Sequence, residues 1–182
     1  MNPLVSEAAK TIRRPNPDEL ALLPALEADA GRRFADVGMD SVAAVPPPPL
    51  QPFVQAHQRD LLWIIGHPQP LGFILLSIVD GHTHIDEVSV RIDASGQGLG
   101  RLLIEHACTL ATQKGHNRVS LTTFRDVPWN APYYRRLGFE AVSTDAAAPE
   151  LQAIARQEAA KSRHAAARIA MIRLLRAPTH EP

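Results

Sequence analysis

The stretch from His84 to Lys114, HIDEVSVRIDASGQGLGRLLIEHACTLATQK, constrains this chain more than any other. It reads as a strand, a short glycine turn and an amphipathic helix. Gly96, Gly98 and Gly100 alternate where the helix begins, so little side-chain bulk stands there. The first N–H groups of a helix have no intrahelical acceptor, and its dipole favours an anion at that end. The pattern predicts a pyrophosphate cradle, with a purely structural strand-to-helix turn as the alternative.

The neighbouring segments extend the pattern. Leu99, Leu102, Leu103, Ala107, Leu110 and Ala111 share one helical face, Lys114 stands in the last turn and Gly115 just past it. Arg118–Phe124 follows as a strand, and strand–helix–strand predicts a right-handed crossover with parallel pairing. Before the stretch, Leu61–Ile65 and Leu71–Val79 read as strands, and Asp80-Gly81 is a hairpin signal returning into His84–Val90. These segments predict an antiparallel meander leading into the turn.

Toward the N-terminus, residues 10–14 read as a short strand. Asn16-Pro17-Asp18-Glu19 has a helix cap's composition, and Leu20, Leu23, Leu26 and Ala30 supply its apolar face. Pro24 should kink or split that helix, and Gly31 end it. Residues 45–52 (VPPPPLQP) read as a stiff connection or a polyproline motif, neither helical nor central strand. Phe53–Arg59 reads as a short helix. Downstream, Asn130–Leu137 reads as a helix closed by Gly138, Phe139–Val142 as a strand, Pro149–His164 as a helix and Arg168–Leu174 as a last strand.

At 182 residues the chain fits one domain (core about 10–176, with 177–182 as a loose tail). Its 19 basic and 19 acidic side chains cancel, which argues against nucleic acid or an anionic membrane as partner. Cys108 is the single cysteine, so an intramolecular disulfide is excluded, and its place in the helix reads as a small buried thiol. With no apolar run near the ~18 residues of a membrane span and no signal-peptide core, the expectation is a cytoplasmic protein.

Two common phosphate loops fit poorly. A P-loop ends Gly-Lys-Ser/Thr, whereas this turn ends Gly100-Arg101-Leu102. A dinucleotide fold needs G-x-G-x-x-G after a first parallel strand, whereas here G-x-G-x-G follows a hairpin. The order Val88-Ser89-Val90, Ser95-Gly96-Gln97-Gly98-Leu99-Gly100 and Asn130-Ala131-Pro132-Tyr133-Tyr134-Arg135-Arg136-Leu137-Gly138-Phe139 instead resembles the GCN5-related N-acetyltransferase (GNAT) family. Gly98 and Gly100 match its Gln/Arg-x-x-Gly-x-Gly/Ala pattern, while Ser95 stands at the Gln/Arg position.

The resemblance implies an α/β (α+β) fold, with a mixed, mostly antiparallel, splayed sheet flanked by helices. It implies acetyl-CoA as cosubstrate, direct transfer of acetyl to a primary amine in a ternary complex, and no metal. The pyrophosphate would lie on Ser95, Gly96, Gln97, Gly98, Leu99, Gly100 and Arg101, and the pantetheine arm would pair with Val88, Ser89 and Val90 like an added strand. Asn130 would contact the pantetheine end, and the Tyr134 hydroxyl would protonate the leaving thiolate. The alternative for Tyr134 is a core aromatic. Glu87 is the candidate base and Asp126 the runner-up, since the strand SLTTF offers no carboxylate.

Phe124, Arg125, Asp126, Trp129 and Tyr133 are candidate acceptor-side residues. Phe124 and Trp129 have core packing as their alternative, and Arg125 would pair with an acidic part of the acceptor. His82 and His84 share a strand face but lack a third metal ligand. Lys161, Arg163, His164 and Arg168 read as a solvated helix end. The acceptor stays open among a small amine, a peptide N-terminus and a protein lysine. Homodimers are common in the family, and no residue here demonstrates one. A non-catalytic acyl-CoA-binding or regulatory module on the same fold is the alternative to an enzyme.

Overall fold

A computed structural model describes residues 10–161 and 167–175. Its strands are β1 (Ile12–Arg13), β2 (Leu62–Ile65), β3 (Gly72–Val79), β4 (His82–Val90), β5 (Arg118–Phe124), β6 (Glu140–Val142) and β7 (Arg168–Leu174). Its α-helices are α1 (Leu23–Gly31), α2 (Asp40–Ala43), α3 (Gln51–Gln58), α4 (Leu99–Gln113), α5 (Ala131–Arg136) and α6 (Pro149–Lys161). The strand order is β1-β2-β3-β4-β5-β7-β6, with β4–β5 parallel and the other registered pairs antiparallel. The mixed, mostly antiparallel α/β architecture is thus the one expected. Residues 10–76 and 87–106 pack as one compact unit, and 77–86, 107–161 and 167–175 as another.

In the first unit, β2 pairs with β1 on one side and β3 on the other, Ile64 opposite Phe73 and Ile65 opposite Gly72. Both strands are apolar almost throughout, and Leu62, Ile64, Ile65, Phe73 and Ile74 are fully buried. Such continuous burial belongs to a sheet covered on both faces. Phe53 of α3 meets Phe73 edge-on at 5.3 Å between ring centroids.

The N-terminal helix forms in two pieces, as Pro24 requires: a 3-10 turn over Pro17–Leu22, then α1 with Pro24 in its first turn. Glu19 closes this start by accepting from the Asn16 N–H at 2.8 Å. The same carboxylate takes both Arg13 guanidinium nitrogens, at 2.6 and 2.7 Å, joining β1 to the turn. That bidentate bond, followed by desolvation in the opposite sense, leaves Glu19 below its ordinary value.

Two expectations shift here. Gly31 has ordinary helical angles and does not stop the chain, which continues as a 3-10 turn to the left-handed Gly38 (φ 73°). Pro52 lies inside α3, in the first turn, where a missing N–H costs nothing. Residues 45–49 have no regular structure, and the short α2 precedes them.

In the second unit, Asp80 (φ 49°) and Gly81 (φ 74°) make the left-handed pair of a tight hairpin between β3 and β4. Asp80 has a second task. Its two carboxylate oxygens accept from the Glu150 and Leu151 N–H groups at 3.0 Å each, capping α6 from 70 residues away. The β4–β5 register runs from Thr83 opposite Val119 to Ile85 opposite Leu121, while β5 pairs with β7 along its whole length.

Polar side chains interrupt this core in matched groups. His84 is 1% exposed, and its Nδ1 lies 2.8 Å from the Ser120 Oγ. Thr122 donates to Glu158, which also receives the Arg168 guanidinium at 2.7 Å. Arg168 is therefore an ion-paired residue of β7, not part of a solvated helix end; Arg163, His164 and the 177–182 tail lie outside the described residues. Cys108 is buried, as expected.

Two stability measurements follow from these groups. Glu19→Gln removes the charge facing Arg13 and should cost about 1–3 kcal/mol at pH 7 by urea unfolding. Because Glu19 titrates below its unfolded value, that difference should shrink as pH falls through the carboxylate range; a constant difference would contradict the pairing. Burial holds His84 down at about 4, against a weaker opposing pull from Glu158. The folded state therefore binds fewer protons than the unfolded one between pH ~6.5 and ~4, and stability falls as pH drops through that window, by up to ~1.4 kcal/mol per unit. His84→Gln, which can keep the Ser120 contact, should lack that part of the acid slope.

Candidate active site

In the first unit the site is built from the end of β4 and the start of α4. After Val90 the chain makes a 3-10 turn over Ile92–Ala94, and the Arg91 N–H bonds to the Leu71 carbonyl at 2.9 Å. Asp29 of α1 accepts from the Ile92 N–H at 3.1 Å, holding the turn's first residue. Gly96 and Gly98 both have φ 79°, a left-handed conformation that costs glycine least. A Cβ built on either would meet nothing within 4 Å, so the cradle is open above its backbone. Gly98 accepts the Leu102 N–H at 3.1 Å and so begins α4, whose first N–H groups have no intrahelical acceptor.

Ser95 adds nothing to this cradle from its side chain: its hydroxyl donates to the Ile92 carbonyl at 2.7 Å, tightening the preceding turn. Gln97 is half-buried, Leu99 is buried beneath α4, and Arg101 is exposed on its first turn. A cleft of about 740 Å³ opens next to Ser95, walled by Leu22, Leu26, Arg32, Pro70 and Arg91 among others. The residues present fit a pyrophosphate bound through main-chain donors, with arginines nearby.

Along β4, Ser89 is buried while Val88 and Val90 are half-exposed. The Ser89 hydroxyl donates to Glu87 Oε1 at 2.8 Å, which orients that carboxylate. A second carboxyl lies close by, and no sequence signal marked it. Glu27 follows Leu23 by four residues on α1, and its carboxyl is pushed up to about 8, first by burial and then by the Glu87 charge. Glu27 shares the helical face of Leu23 and Ala30, and only the tertiary fold brings it within reach of the Glu87 charge.

In the second unit, Asn130 precedes α5 and accepts the Tyr134 N–H on its carbonyl at 2.9 Å. Its side-chain amide donates to Thr123 Oγ1 at 2.7 Å, which fixes the rotamer and leaves Oδ1 as a buried acceptor with no partner. A buried, unsatisfied acceptor costs free energy unless a ligand supplies a donor. Pantetheine carries amide N–H groups of the required kind. Tyr134 is 8% exposed, with its ring edge-on to Tyr133 and Phe139.

The acceptor-side candidates separate by environment. Phe124 is buried, with the Arg168 guanidinium 4.7 Å above its ring. Arg125 and Asp126 are exposed and face each other at 3.4 Å. Trp129 is half-buried, and Tyr133 lies under the Arg136 guanidinium at 5.6 Å. His82 packs against the His116 ring, and no group of three metal-binding side chains occurs among the described residues.

Gly72 is the other residue that sequence reasoning passed over. A Cβ there would stand 2.7 Å from the Ser89 carbonyl and 3.0 Å from the Val90 side chain. Gly72→Ala must push β4 away, so it should lower stability by about 1–3 kcal/mol and weaken acetyl-CoA binding several-fold. Thermal unfolding with and without acetyl-CoA measures both; an unaltered ligand shift would show that β4's position is immaterial to binding.

Comparison with known proteins follows the same lines. The family model described as the acetyltransferase (GNAT) family matches residues 25–139. Peptidyl-lysine N-acetyltransferase YjaB of Salmonella typhimurium is 32% identical over 81 residues, which are 43% of this chain and 50% of that protein. This chain thus aligns with half the length of that curated relative. Among solved structures, N-acetylglutamate synthase from Neisseria gonorrhoeae, complexed with coenzyme A and N-acetyl-glutamate, aligns at TM-score 0.69 and 16% identity. The alignment covers 91% of this chain and 35% of that one. The ribosomal-protein-S18-alanine N-acetyltransferase from Escherichia coli aligns at TM-score 0.64 and 17% identity, over 94% and 98%. PaiA N-acetyltransferase from Thermoplasma acidophilum, in complex with coenzyme A, aligns at 0.64 and 15%, over 90% and 98%. At these identities the structures establish a shared fold, and with a family model spanning more than half of its residues, this chain belongs to the GNAT family of acetyltransferases.

Proposed function

We propose that this protein is an acetyl-CoA-dependent N-acetyltransferase that moves an acetyl group directly to a primary amine. The observation that carries the reading is the glycine turn at the start of α4, open above Gly96 and Gly98, inside the segment that matches the family. The buried, unpartnered Oδ1 of Asn130 supports it independently. The curated relative's name, a peptidyl-lysine N-acetyltransferase, supports an amine acceptor, and the coenzyme A complexes of two structural neighbours support the cosubstrate. On this reading the enzyme works in the cytoplasm.

Acetyl-CoA would supply an acyl group already activated as a thioester. The first N–H groups of α4 and the backbone of the 95–98 turn would hold its pyrophosphate. The main chain of Val88–Val90 would pair with the pantetheine amides, and Asn130 Oδ1 would accept from one of them. A backbone N–H of that strand would polarise the acetyl carbonyl. Glu87, held by Ser89, would take the proton that the amine must lose. The Tyr134 hydroxyl would give a proton to the departing sulfur.

Thiol release from acetyl-CoA should be followed with a lysine peptide, a peptide N-terminus and small amines, with product mass confirming the acetylated nitrogen. Tyr134→Phe should lower kcat roughly 10–100-fold while leaving the acetyl-CoA affinity close to wild type. Asn130→Ala should weaken acetyl-CoA binding instead. Tight binding without turnover of any amine would favour a non-catalytic acyl-CoA-binding module, and no binding at all would overturn both.

A further inference from the structure

Within the second unit, Asn130 is pinned at its backbone before its side chain is considered. Its N–H donates to the Val127 carbonyl at 2.9 Å, and its own carbonyl accepts the Tyr134 N–H at 2.9 Å. The side-chain amide is held by one further group, since Nδ2 donates to Thr123 Oγ1 at 2.7 Å. Thr123 is 3% exposed and continues the row of Val119 and Leu121, both buried, on one face of β5. Valine has the shape of threonine and would fill this apolar row with no polar group to satisfy. The hydroxyl therefore matters for what it bonds. As a stabilising device the pair is incomplete, because Oδ1 of the same amide is buried with no partner among the described residues. An orphaned acceptor offsets much of what one hydrogen bond contributes, and two apolar side chains of like shape would cost the fold little. The return lies in where the pair leaves Oδ1.

We propose, resting on the transferase reading above, that Thr123 is a positioning residue for the cofactor: its hydroxyl locks the Asn130 rotamer so that Oδ1 is left for a pantetheine N–H. With the backbone fixed on both sides of the amide, the side-chain torsions are the only freedom left, and one hydrogen bond removes it. Without the hydroxyl, Nδ2 loses its acceptor and the amide turns to find another. A ligand must then order the side chain itself, and affinity falls by the cost of that ordering. Thr123 has no part in the chemistry except through Asn130.

The test is calorimetric titration with coenzyme A of the wild type, Thr123→Val, Thr123→Ser, Asn130→Ala and the Thr123→Val/Asn130→Ala double variant. Thr123→Val should weaken binding roughly 5–10-fold, whereas Thr123→Ser, which keeps the hydroxyl, should stay within about twofold of wild type. In the Asn130→Ala background, Thr123→Val should change the affinity by less than about twofold, because the group it positions is gone. A general loosening of β5 would weaken binding by the same factor in both backgrounds. If Thr123→Val fails to fold, Thr123→Ala is carried through the same two backgrounds with the same expectation. Wild-type affinity in Thr123→Val or in Asn130→Ala overturns the assignment. So does an equal loss with and without Asn130, or a Thr123→Ser protein as weak as Thr123→Val. Wild-type protein that binds no coenzyme A overturns the transferase reading itself, a result seen without any variant.

Discussion

The turn between β4 and α4 is the constraint on which the site depends. Two residues in it, Gly96 and Gly98, are left-handed, and a side chain at either would both strain the backbone and stand in the open face of the cradle. The turn needs anchoring, and it has three anchors. The Arg91 N–H bonds to Leu71, Asp29 reaches across to the Ile92 N–H, and the Ser95 hydroxyl closes on the Ile92 carbonyl. Buried Leu99, Leu103 and Ile104 then fix the first turns of α4. The turn and the first N–H groups of α4 are thus fixed by contacts from Leu71, α1 and the turn itself.

Ser95 illustrates how the family pattern and the local physics divide. A long polar side chain at this position could reach outward to a phosphate, whereas the serine hydroxyl is spent inward on its own turn. On the proposed function the loss falls on one contact, because main-chain donors would carry the rest of the cradle. Arg32 and Arg91 stand in the adjoining cleft, although each already faces an aspartate.

Much of the frame was legible because its signals are local. The left-handed Asp80-Gly81 pair, the apolar run of β3, the Gly115 stop after α4 and the bounds of β5 and β7 all follow from nearest-neighbour chemistry. What escaped depends on long-range packing. Gly31 looked like a helix stop, but the chain had further helical turns to make before Gly38. Asp80 gave no sign that it caps α6, nor Gly72 that a Cβ there would stand 2.7 Å from the Ser89 carbonyl. Glu27 gives no sign of its environment from its identity alone; burial first, and the Glu87 charge second, raise its carboxyl in the folded chain. The motif pointed to the glycine turn, Asn130 and Tyr134 as candidates; packing determined which neighbouring groups are perturbed.

The central claim is that the turn binds coenzyme A through its pyrophosphate. Calorimetric titration of the protein with coenzyme A, and in parallel with pantetheine, which lacks the pyrophosphate and nucleotide, tests it most directly. The account predicts that coenzyme A binds at least tenfold more tightly, a difference of about 1.4 kcal/mol or more, and that its affinity falls with added salt. Equal affinity for the two, or none for either, would contradict it.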